Sequence, residues 1–584
     1  MRYKTLLASI CLIFSLLVMP AYSQRIMEKL GRGFVAMGTP NGNLLSWRLY
    51  GTEQGSDVAF NVYKGATKLN AAPITTSTNY LDNSTGSDDY TLKAVVGGVE
   101  QPEVTKAMVL PKGSLEIPLK AAPGKKVHLA YVADLDGDGE FEYVVDRMQA
   151  NTSQYLEAYH RTTGFMWRVD MGPNSANTNL STPGPAAIGI GHADNEGAYD
   201  IDCDGKAEVL VKGANGTIFG DGKVLSHSND TAAFILAIDG KTGAEKARIE
   251  VPHDLDNVAP PTGHFGIAYF DGVHPSLMFK AKAGGTRAMM DMAYDFKDGA
   301  WVQRWKFVCA PISDYPNNHS IRCLDINGDG FDEFVNGGYA RDKDGKILWN
   351  QKSQGYIHGD RWHIGDLDPD RPGLEGFAIQ QRNSAFDCAY YDAATGTILK
   401  KFGNSGTDVA RGTTGDVDPT HRGYEMWAGA VGMYTVQSMD AKLPTTSLPA
   451  VNFRIWWDGD LLSENLDGNT VSKWPYPGMP SNAFTRVTLE GIFGPRNAAP
   501  IYGDFFGDWR EEVLLETADS TAFRVYTTPF ETDKRIYTLA HNPEYRNSLT
   551  EKGYMQSHMV DFYLGDGMKD PPKPNITYPA AAGR

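Results

Sequence analysis

Clusters of carboxylates recur along this sequence at one spacing. The stretch "DLDGDGEFE" begins at Asp134, and the stretches "DIDCDGKAE" and "DINGDGFDE" begin at Asp200 and Asp325. Oxygen-bearing residues stand at offsets 0, 2, 4 and 8 in all three. Glycine lets the backbone of such a loop curl round a point, so the carboxylates converge and the final Glu closes the cage. Hard oxygen ligands at flexible geometry suit calcium.

Three more stretches keep part of this spacing. The stretch from Asp366 has one residue inserted before Glu375, the stretch from Asp416 carries Thr420 in place of a ligand, and the stretch from Asp504 is partial. The flanking residues read as strands, which excludes an EF-hand. Solvated Asp-Gly turns are the alternative, but they do not explain why the Glu recurs. We therefore predict several calcium ions as the cofactor, most of them structural. The predicted ligands are Asp134, Asp136, Asp138, Glu142, Asp200, Asp202, Asp204, Glu208, Asp325, Asn327, Asp329, Glu333, Asp366, Asp368, Asp370, Glu375, Asp416, Asp418, Glu425, Asp504 and Asp508.

The overall charge restricts the partners of the protein. A formal net charge of −16 argues against nucleic acid. It would also repel a polyanion, unless bound cations neutralise the carboxylates. Four cysteines remain outside the N-terminal segment, without CxxC pairing, so free thiols or an occasional disulfide are expected and a zinc site is not. We expect a monomer.

The first residues have the order of a secretory signal peptide. Arg2 and Lys4 precede an apolar run that ends at Met19, and small residues follow. The run of ~14 residues is too short for a tilted transmembrane span. We predict cleavage near Ser23–Gln24, residues 1–23 as the signal, and a secreted or periplasmic product without a transmembrane segment.

Two regimes divide the remaining chain. Residues 24–112 contain short alternating runs such as "VAFNVYKG" and "YTLKAVVGG" between turn residues, which predicts a small antiparallel β-sandwich similar to a fibronectin type III module. Residues 113–584 alternate acidic clusters with β-rich runs such as "AEVLVKG" and "AFILAIDGKTG". Convincing long amphipathic helices are absent, so both regimes predict an all-β fold.

The spacing of the acidic clusters indicates a repeat. Their first positions are separated by 66, 125, 41, 50 and 88 residues. The interval of 125 residues holds two units, the second lying near "HFGIAYFDGVHPSLMF" without an acidic loop. Roughly 470 residues in units of ~50–65 give seven to nine blades. We predict an eight-bladed β-propeller with calcium-binding loops over residues 113–584.

Several distinctive strings resemble one enzyme family. The strings "HGDRWHIGDLDPDRPGLEGF", "GTDVARGTTGDVDP", "NFRIWWDGDLLSE" and "FGDWREEV" are similar to those of the rhamnogalacturonan lyases of polysaccharide lyase family 11. The resemblance covers essentially the whole mature chain. It implies an eight-bladed propeller that holds calcium, and β-elimination on the rhamnose–galacturonate backbone of pectin, rhamnogalacturonan I, as the polysaccharide substrate.

The elimination needs a cation beside the uronate carboxylate and a base at C5. Arg496, in "FGPRNAAP", falls where relatives carry the Lys of an Asn-Gly-Thr-Lys run, and Gly494 belongs to the same run. Arginine stays protonated, so Arg496 is a poor base but a good bidentate clamp for a carboxylate. This departure from the family implies that the protein uses another base or has altered chemistry. A surface cation is the alternative role for Arg496.

Other catalytic candidates are histidines and a tyrosine. His358 and His363 match the family spacing in "HGDRWHIGD", where a His serves as base or orients a calcium ligand. For His363 we favour a metal-associated or structural role. His192 and His264 lie in loops before strands and are weaker candidates. Tyr554, in "GYMQSHM", falls in a segment that resembles the substrate-binding region of the family, although packing is an equal reading.

Substrate-binding candidates lie near the acidic clusters. Sugar rings stack on indoles, so Trp457 of the pair Trp456–Trp457 is predicted to face the substrate while the other packs in the core. Asp146 and Arg147 follow the first acidic loop and are predicted to face the groove, with Asn151 as a further polar candidate.

Two other functions fit parts of the sequence. A non-catalytic calcium-binding propeller for carbohydrate or protein would use the same acidic loops, as integrin-type propellers do. A glycoside hydrolase would need two free carboxylates, but nearly all the patterned ones are assigned to calcium. The family-like strings favour the lyase.

Overall fold

The regular secondary structure of the chain is almost entirely β-strand, as the sequence predicts, in a computed structural model. The structure describes residues 23–84, 89–179, 182–189, 191, 193–255, 261–283, 288–381, 385–445, 447–552 and 556–580. Within these residues there is one α-helix, Pro543–Ser548. Short 3-10 helices are Gly51–Glu53, Pro111–Gly113, Pro173–Ser175, His253–Leu255, Ile312–Asp314, Gln351–Gln354, Ser481–Ala483, Pro495–Asn497 and Leu539–His541. The predicted signal peptide lies outside the described residues, apart from Ser23.

The N-terminal part of the described chain contains two small sheets. One contains Val35–Thr39, Gly42–Ser46, Asn79–Asp82 and Met108–Leu110. The other contains Ala59–Lys64, Thr67–Lys68, Tyr90–Val96, Val99–Glu100 and Thr105–Lys106. The strand Met108–Leu110 runs parallel to Val35–Met37, so the expectation of a purely antiparallel sandwich is wrong at this edge. Trp47 and Phe60 pack edge to face, 5.4 Å between ring centroids, in a core shared with the next region.

Eight antiparallel sheets follow in the described residues, seven with four strands and one with three. Sheet 1 contains Lys126–Ala133, Glu142–Met148, Tyr155–His160 and Gly164–Asp170; sheet 2, Glu196–Tyr199, Glu208–Ala214, Ala233–Asp239 and Glu245–Glu250; sheet 3, Thr262–Ala268, Ser276–Lys282, Met289–Lys297 and Ala300–Cys309; sheet 4, Arg322–Leu324, Glu333–Val335, Tyr339–Arg341 and Ile347–Asn350. Sheet 5 contains Trp362–Gly365, Glu375–Ile379, Cys388–Asp392 and Ile398–Phe402; sheet 6, Gly412–Gly415, Glu425–Ala428 and Gly432–Thr435; sheet 7, Phe453–Ile455, Glu464–Asp467, Thr470–Ser472 and Arg486–Thr488; sheet 8, Ile501–Gly503, Glu512–Glu516, Ala522–Tyr526 and Ser114–Pro118.

The sheets pack face to face, and this explains their sequences. The second and third strands read as apolar runs rather than as alternating patterns because both faces are covered. The strand Ala233–Asp239, "AFILAID", is buried up to its last residue. The 125-residue interval between acidic clusters contains sheet 3, as predicted. The cysteines in the described residues are free thiols.

The two termini tie the sheets together. Ser114–Pro118, which comes before sheet 1 in the chain, pairs antiparallel with Ala522–Tyr526 as the outer strand of sheet 8. At the very ends, Arg25–Ile26 pairs with Ile576–Thr577. Sheet 8 is thus completed by a strand from the start of the region, which ties the beginning of the region to its last sheet.

The first strands of neighbouring sheets lie side by side and give the assembly two distinct ends. An acidic loop follows the first strand in seven of the eight sheets, and successive loops contact one another, as where the Ala207 amide donates to the Asp134 carbonyl. We call this the acidic-loop end. The residues that precede the first strands meet at the other end, where the Asn317 amide donates to the Ile357 carbonyl. We call that the site end.

The C-terminal residues 542–552 and 556–563 lie between the first strands. Near the acidic-loop end, Arg546 pairs with Glu28 at 2.6 Å. Further along, the Glu551 carboxylate accepts from Arg322 at 2.9 Å, and the Trp362 amide donates to the side chain of Gln556 at 3.1 Å, at the site end. The segment therefore fills the space that the first strands enclose. Among the described residues, no helix has the length and apolar character needed to cross a bilayer.

Candidate active site and cation sites

The acidic loops are held in shape by their own backbone. Asp134 accepts from the amides of Gly137 and Gly139, both at 2.8 Å, and Glu142 accepts from the Leu135 amide at 2.8 Å. Gly137 and Gly139 have φ of 84° and 88°, a conformation that side chains disfavour. Asp325 repeats the pattern in the third loop. These backbone hydrogen bonds fix the shape of both loops and the direction of their first carboxylate.

These carboxylates are buried, and in their charged form they need positive charge nearby. Burial, together with neighbouring carboxylates, raises the pKa of Glu142 to about 9 and that of Asp134 to about 7. Asp134, Asp136 and Glu142 offer ligand atoms within 4.8 Å of one another, as do Asp200, Asp202 and Glu208. Several fully buried oxygens receive no hydrogen bond from the described residues: Glu142 Oε1, Asp366 Oδ1, Asp416 Oδ1, Glu425 Oε1 and Asp504 Oδ1. The donor set and the unpartnered oxygens fit a hard divalent cation.

A seventh acidic loop was not predicted from the spacing. Asp458, Asp460 and Glu464 follow the first strand of sheet 7 at offsets 0, 2 and 6. The Nζ atom of Lys473 lies 2.7, 2.6 and 3.3 Å from the three carboxylates. Burial lowers the pKa of Lys473, but the carboxylates, Glu464 foremost, raise it further and leave it above its ordinary value. An ammonium group thus occupies the centre of this loop.

Protein cations also occupy part of two other loops. Lys246 lies 2.6 Å from both Asp202 and Glu208 in the second loop. In the loop of sheet 8, Arg510 holds Asp508 through both carboxylate oxygens, at 2.8 and 2.9 Å. Asp508 is therefore paired within the protein, and its role as a calcium ligand stays a prediction.

The site end brings together a cluster that the sequence only partly indicated. His319, His358 and Asp360 offer ligand atoms within 4.8 Å of one another, and the two imidazole rings lie 4.8 Å apart. Lys282 Nζ lies 3.2 Å from His319 Nδ1, and Gln381 donates to Asp360. Burial and Asp408 raise the pKa of Asp360 to about 6. Of this cluster the sequence predicted only His358; His319 has the same position, just before a first strand.

Two arginines border this cluster. Arg411 donates to the Arg496 carbonyl at 2.9 Å and to the side chain of Asn452 at 3.3 Å. Arg496 is half-buried in a turn with φ of 65°, which the Gly494–Ala498 bridge closes. Its charge lowers the pKa of Asp360 and that of Asp194, against the larger rise that burial causes in both. Gly494 has a positioning role here: its amide donates to the Ala498 carbonyl at 2.8 Å.

The remaining catalytic candidates lie elsewhere. His363 is buried inside the first strand of sheet 5, and burial, Arg322 and Arg361 lower its pKa to about 3. A neutral, buried imidazole at this place supports a structural role. His264 is buried with Nδ1 3.3 Å from Asp194 Oδ2. Tyr554 and His192 lie outside the described residues.

The predicted substrate-binding residues are mostly buried. Trp457 is 1% exposed, so its indole packs in the core and cannot stack on a sugar. Arg147 is 1% exposed and pairs with Glu157 at 3.2 Å, which excludes the predicted groove-facing role. Asp146 is fully buried and 2.9 Å from His128 Nδ1. Asn151 lies exposed in a turn with φ of 61°, so it remains a candidate without a contact to the cluster.

Comparison with known proteins matches this architecture over its whole length. A family model described as rhamnogalacturonan lyase family 11, C-terminal domain, matches residues 124–252 and 254–574, and one described as the rhamnogalacturonan I lyases β-sheet domain matches residues 25–110. The chain is 37% identical to rhamnogalacturonan endolyase YesW of Bacillus subtilis, over 95% of this chain and 94% of the relative. It is 33% identical to rhamnogalacturonan exolyase YesX of the same organism, over 95% and 98%.

Comparison with solved structures gives the same family. The crystal structure of YesW superposes with a TM-score of 0.84 at 34% identity, over 95% of this chain and all of that one. A Bacillus licheniformis rhamnogalacturonan lyase gives a TM-score of 0.84 at 35% identity, with the same coverage. These similarities place the chain among the polysaccharide lyases. It belongs to rhamnogalacturonan lyase family 11.

Proposed function

We propose that the protein is a secreted, calcium-dependent rhamnogalacturonan lyase that cleaves the rhamnose–galacturonate backbone of pectin by β-elimination. The observation that carries this proposal is the cationic site end, with Lys282, Arg411 and Arg496 around His319 and His358, in a protein of net charge −16. Such a cluster on an acidic protein suits a polyanion. Relatives named rhamnogalacturonan endolyase and exolyase support the substrate.

The finer fold belongs to this proposal. We take the eight sheets as the blades of a closed propeller, since their first strands are neighbours and sheet 8 is completed by Ser114–Pro118. The two sheets of residues 24–112 are taken as the fibronectin-like module, with the parallel edge strand as a departure. The domain boundaries 1–23, 24–112 and 113–584 remain predictions.

Calcium is proposed for the acidic-loop end, where the fit is best. The loops that begin at Asp134, Asp200 and Asp325 have converging carboxylates with raised pKa values. A bound divalent cation would add positive charge at these groups, of which the loop that begins at Asp200 already has part from Lys246. The cluster of His319, His358 and Asp360 fits a divalent cation too, but its two imidazoles suit calcium less than the all-oxygen loops do.

The residues of the site end fit the needs of the reaction. Negative charge develops on the uronate carboxylate as the C5 proton leaves, and a cation held by the cluster would stabilise it. Arg496 and Arg411 are placed to clamp that carboxylate and to fix the sugar in register. His319 and His358 orient the cluster, and Lys282 adds a further positive charge beside it.

Secretion is proposed from the sequence. The charged, apolar and small-residue order of the first residues is that of a cleaved signal. A protein that acts on plant cell-wall pectin must meet its polymer outside the cytoplasm, so the two proposals agree. The measurement is the N-terminal residue of the protein recovered from culture medium or periplasm, expected near Gln24.

One assay separates the candidate functions. The protein is incubated with rhamnogalacturonan I, and ultraviolet absorption of the conjugated uronate double bond is followed with and without chelator. The proposal requires the chromophore to appear and to be suppressed by chelation, with calcium restoring it. New reducing ends without the chromophore would indicate a hydrolase. Binding without either product would indicate a non-catalytic propeller.

A further inference from the structure

Sheet 6 has one strand fewer than the other seven sheets, and this leaves part of its neighbour uncovered. The other sheets have four strands each, whereas the described residues of sheet 6 form three. After Gly432–Thr435 the described chain forms no further strand before Phe453–Ile455, the first strand of sheet 7. The outer strands of sheet 7 therefore have no fourth strand of sheet 6 packed against them.

The face of sheet 7 that is uncovered in this way carries polar side chains. Asn465 pairs with Ser472, and Ser472 pairs with Arg486 on the next strand, so the three side chains form a row on one face. Asp467 and Thr470, two residues further along their strands, form a second row on the same face. The opposite face packs in the core shared with sheet 8 through Leu466, Val471 and Val487.

The chain between sheets 6 and 7 turns this polar face into a groove. Two indoles fix that chain: Trp474 Nε1 donates to the Ser447 carbonyl at 3.0 Å, and Trp427 Nε1 donates to the Ala450 carbonyl at 3.1 Å. The groove has a volume of about 510 Å³, in the range of ligand sites. We call it the sheet 7 groove, and its lining includes Asn465, Asp467, Thr470, Ser472, Phe484 and Arg486.

The sheet 7 groove offers the kinds of contact that bind an acidic sugar. Arg486 is exposed and has no ion-pair partner among the described residues, so its guanidinium is available to a carboxylate. Phe484 is 44% exposed, and an aromatic ring suits the apolar face of a sugar. Asn465 and Ser472 supply an amide and a hydroxyl group for hydrogen bonds to sugar hydroxyls. Lys473 also lines the groove, but its Nζ atom is held by the seventh acidic loop.

The charges in the groove favour a polymer in which acidic and neutral sugars alternate. Asp467 is exposed on the same face as Arg486 and lies two strands away from it. A chain of uronates would place like charges beside Asp467, whereas a neutral sugar there can donate its hydroxyls to the carboxylate. Rhamnose alternating with galacturonate therefore fits both side chains.

One end of the groove reaches the border of the candidate active site. The hairpin that follows Asp467 turns at Gly468, whose amide donates to the Asn497 carbonyl at 2.9 Å. Asn497 follows Arg496 in the chain, and Arg411 donates to the Arg496 carbonyl at 2.9 Å. A polymer chain bound in the groove thus has one end near the turn that carries Arg496.

We propose that the sheet 7 groove is a second binding site for rhamnogalacturonan I, separate from the site where the bond is broken. The inference rests on the proposed function and adds a binding site for the same polymer. A chain that is held at one place meets the other site at a high effective concentration. Loss of the groove should therefore weaken the binding of long chains and leave the chemical step unchanged.

The test compares long and short substrates. Arg486→Ala should raise Kd and KM for rhamnogalacturonan I ~10–100-fold, the loss of a hydrogen bond between charged groups, while kcat stays the same. Arg486→Glu should raise both further, because it adds repulsion. Phe484→Ala should raise them ~2–10-fold, the loss of an aromatic contact. On fragments too short to reach both sites, all three variants should keep the wild-type kcat/KM.

The matched control is Arg248→Ala, at an arginine that is 40% exposed on the outer strand of sheet 2, and it should match the wild type. Circular dichroism confirms folding, and titration calorimetry measures Kd without relying on activity. Polymer with its carboxylates reduced to alcohols should bind equally to the wild type and to Arg486→Ala.

Two results would overturn the proposal. Arg486→Glu with wild-type Kd and KM for the polymer would show that the groove binds no polymer. A loss of kcat/KM on short fragments in Arg486→Ala would place the groove at the reacting site instead. A wild type that binds the polymer more tightly than Arg486→Ala does, but forms no chromophore, would refute the proposed lyase activity and leave the groove as a polysaccharide site.

Discussion

The ammonium group in the seventh acidic loop makes a sharp prediction about metal binding. In the other complete loops the closing Glu stands at offset 8, whereas Glu464 follows Asp458 at offset 6. Lys473, 1% exposed, contacts all three carboxylates of this loop. Lys473→Met should remove the internal cation, keep most of the packing of the side chain, and leave a cage of carboxylates for a metal.

The expected cost follows from the burial of the partners. Glu464 is fully buried and the Asp458 side chain is 8% exposed, while the Asp460 side chain is 48% exposed and is largely screened. Removing one partner of a buried ion pair costs about 3–5 kcal/mol, because the remaining charge is uncompensated. We expect the calcium-free variant to lose about this much free energy of unfolding. Calcium at 100 times its Kd should restore about 2.7 kcal/mol.

The assay is chemical denaturation with and without calcium, together with metal counting. Lys473→Met should bind one more calcium ion than the wild type and gain stability from calcium that the wild type does not. Lys246→Met is the matched control: Lys246 is 24% exposed and sits in a loop with a full set of ligands, so its loss should raise calcium affinity without adding an ion. An unchanged calcium count for Lys473→Met would refute the interpretation of Lys473 as the resident cation.

Three further predictions concern the two ends of the sheets. Without metal, the pKa of Glu142 is about 9 in the folded state against an ordinary 4.5. The folded state therefore binds more protons than the unfolded state between these two pH values, and the free energy of unfolding should fall as the pH rises through this range. Thermal melting of the chelated protein should show the fall, and added calcium should abolish it. Arg496→Ala should lower kcat/KM about 10–100-fold, the loss of a hydrogen bond to a charged group, with Arg496→Lys in between; equal rates for all three would contradict a clamp. Gln381→Leu frees Asp360 from its hydrogen bond and should weaken divalent-cation activation about 10–100-fold, measured by metal titration of the chelated enzyme.

Much of the fold could be predicted because the acidic loops mark the same point in seven of the eight repeats. A loop follows the first strand of a sheet, so the intervals between loops count sheets, and the long interval correctly predicted a sheet without one. The sequence did not indicate the seventh loop because Trp456 stands where the other loops have their first Asp: Glu464 accepts from the Trp457 amide just as Glu142 accepts from the Leu135 amide. The sequence did not indicate His319 because its partner, His358, lies 39 positions away in the chain. The two side chains meet only through the packing of sheets 4 and 5.

The tryptophan pair shows where a correct rule gave a wrong function. Neighbours in a strand do face opposite ways, and Trp456 and Trp457 lie in different core clusters. The rule assigns one of them to solvent only if one face of the sheet is open. Here each face of sheet 7 packs on a neighbouring sheet, so both indoles are buried. The burial of Arg147 has the same origin.

The separation of the two ends affects how a calcium requirement should be interpreted. The acidic loops follow the first strands, and the site residues precede them, so one strand length separates a loop such as Asp366 from His358. Chelation that empties the loops acts on the site only by loosening the first strands, and its effect on rate should track its effect on stability. Chelation of the histidine cluster should instead lower activity at temperatures where the fold is intact. A chelated enzyme that is fully folded and inactive would therefore assign the functional cation to the site end, and one that loses both together would assign calcium to the scaffold.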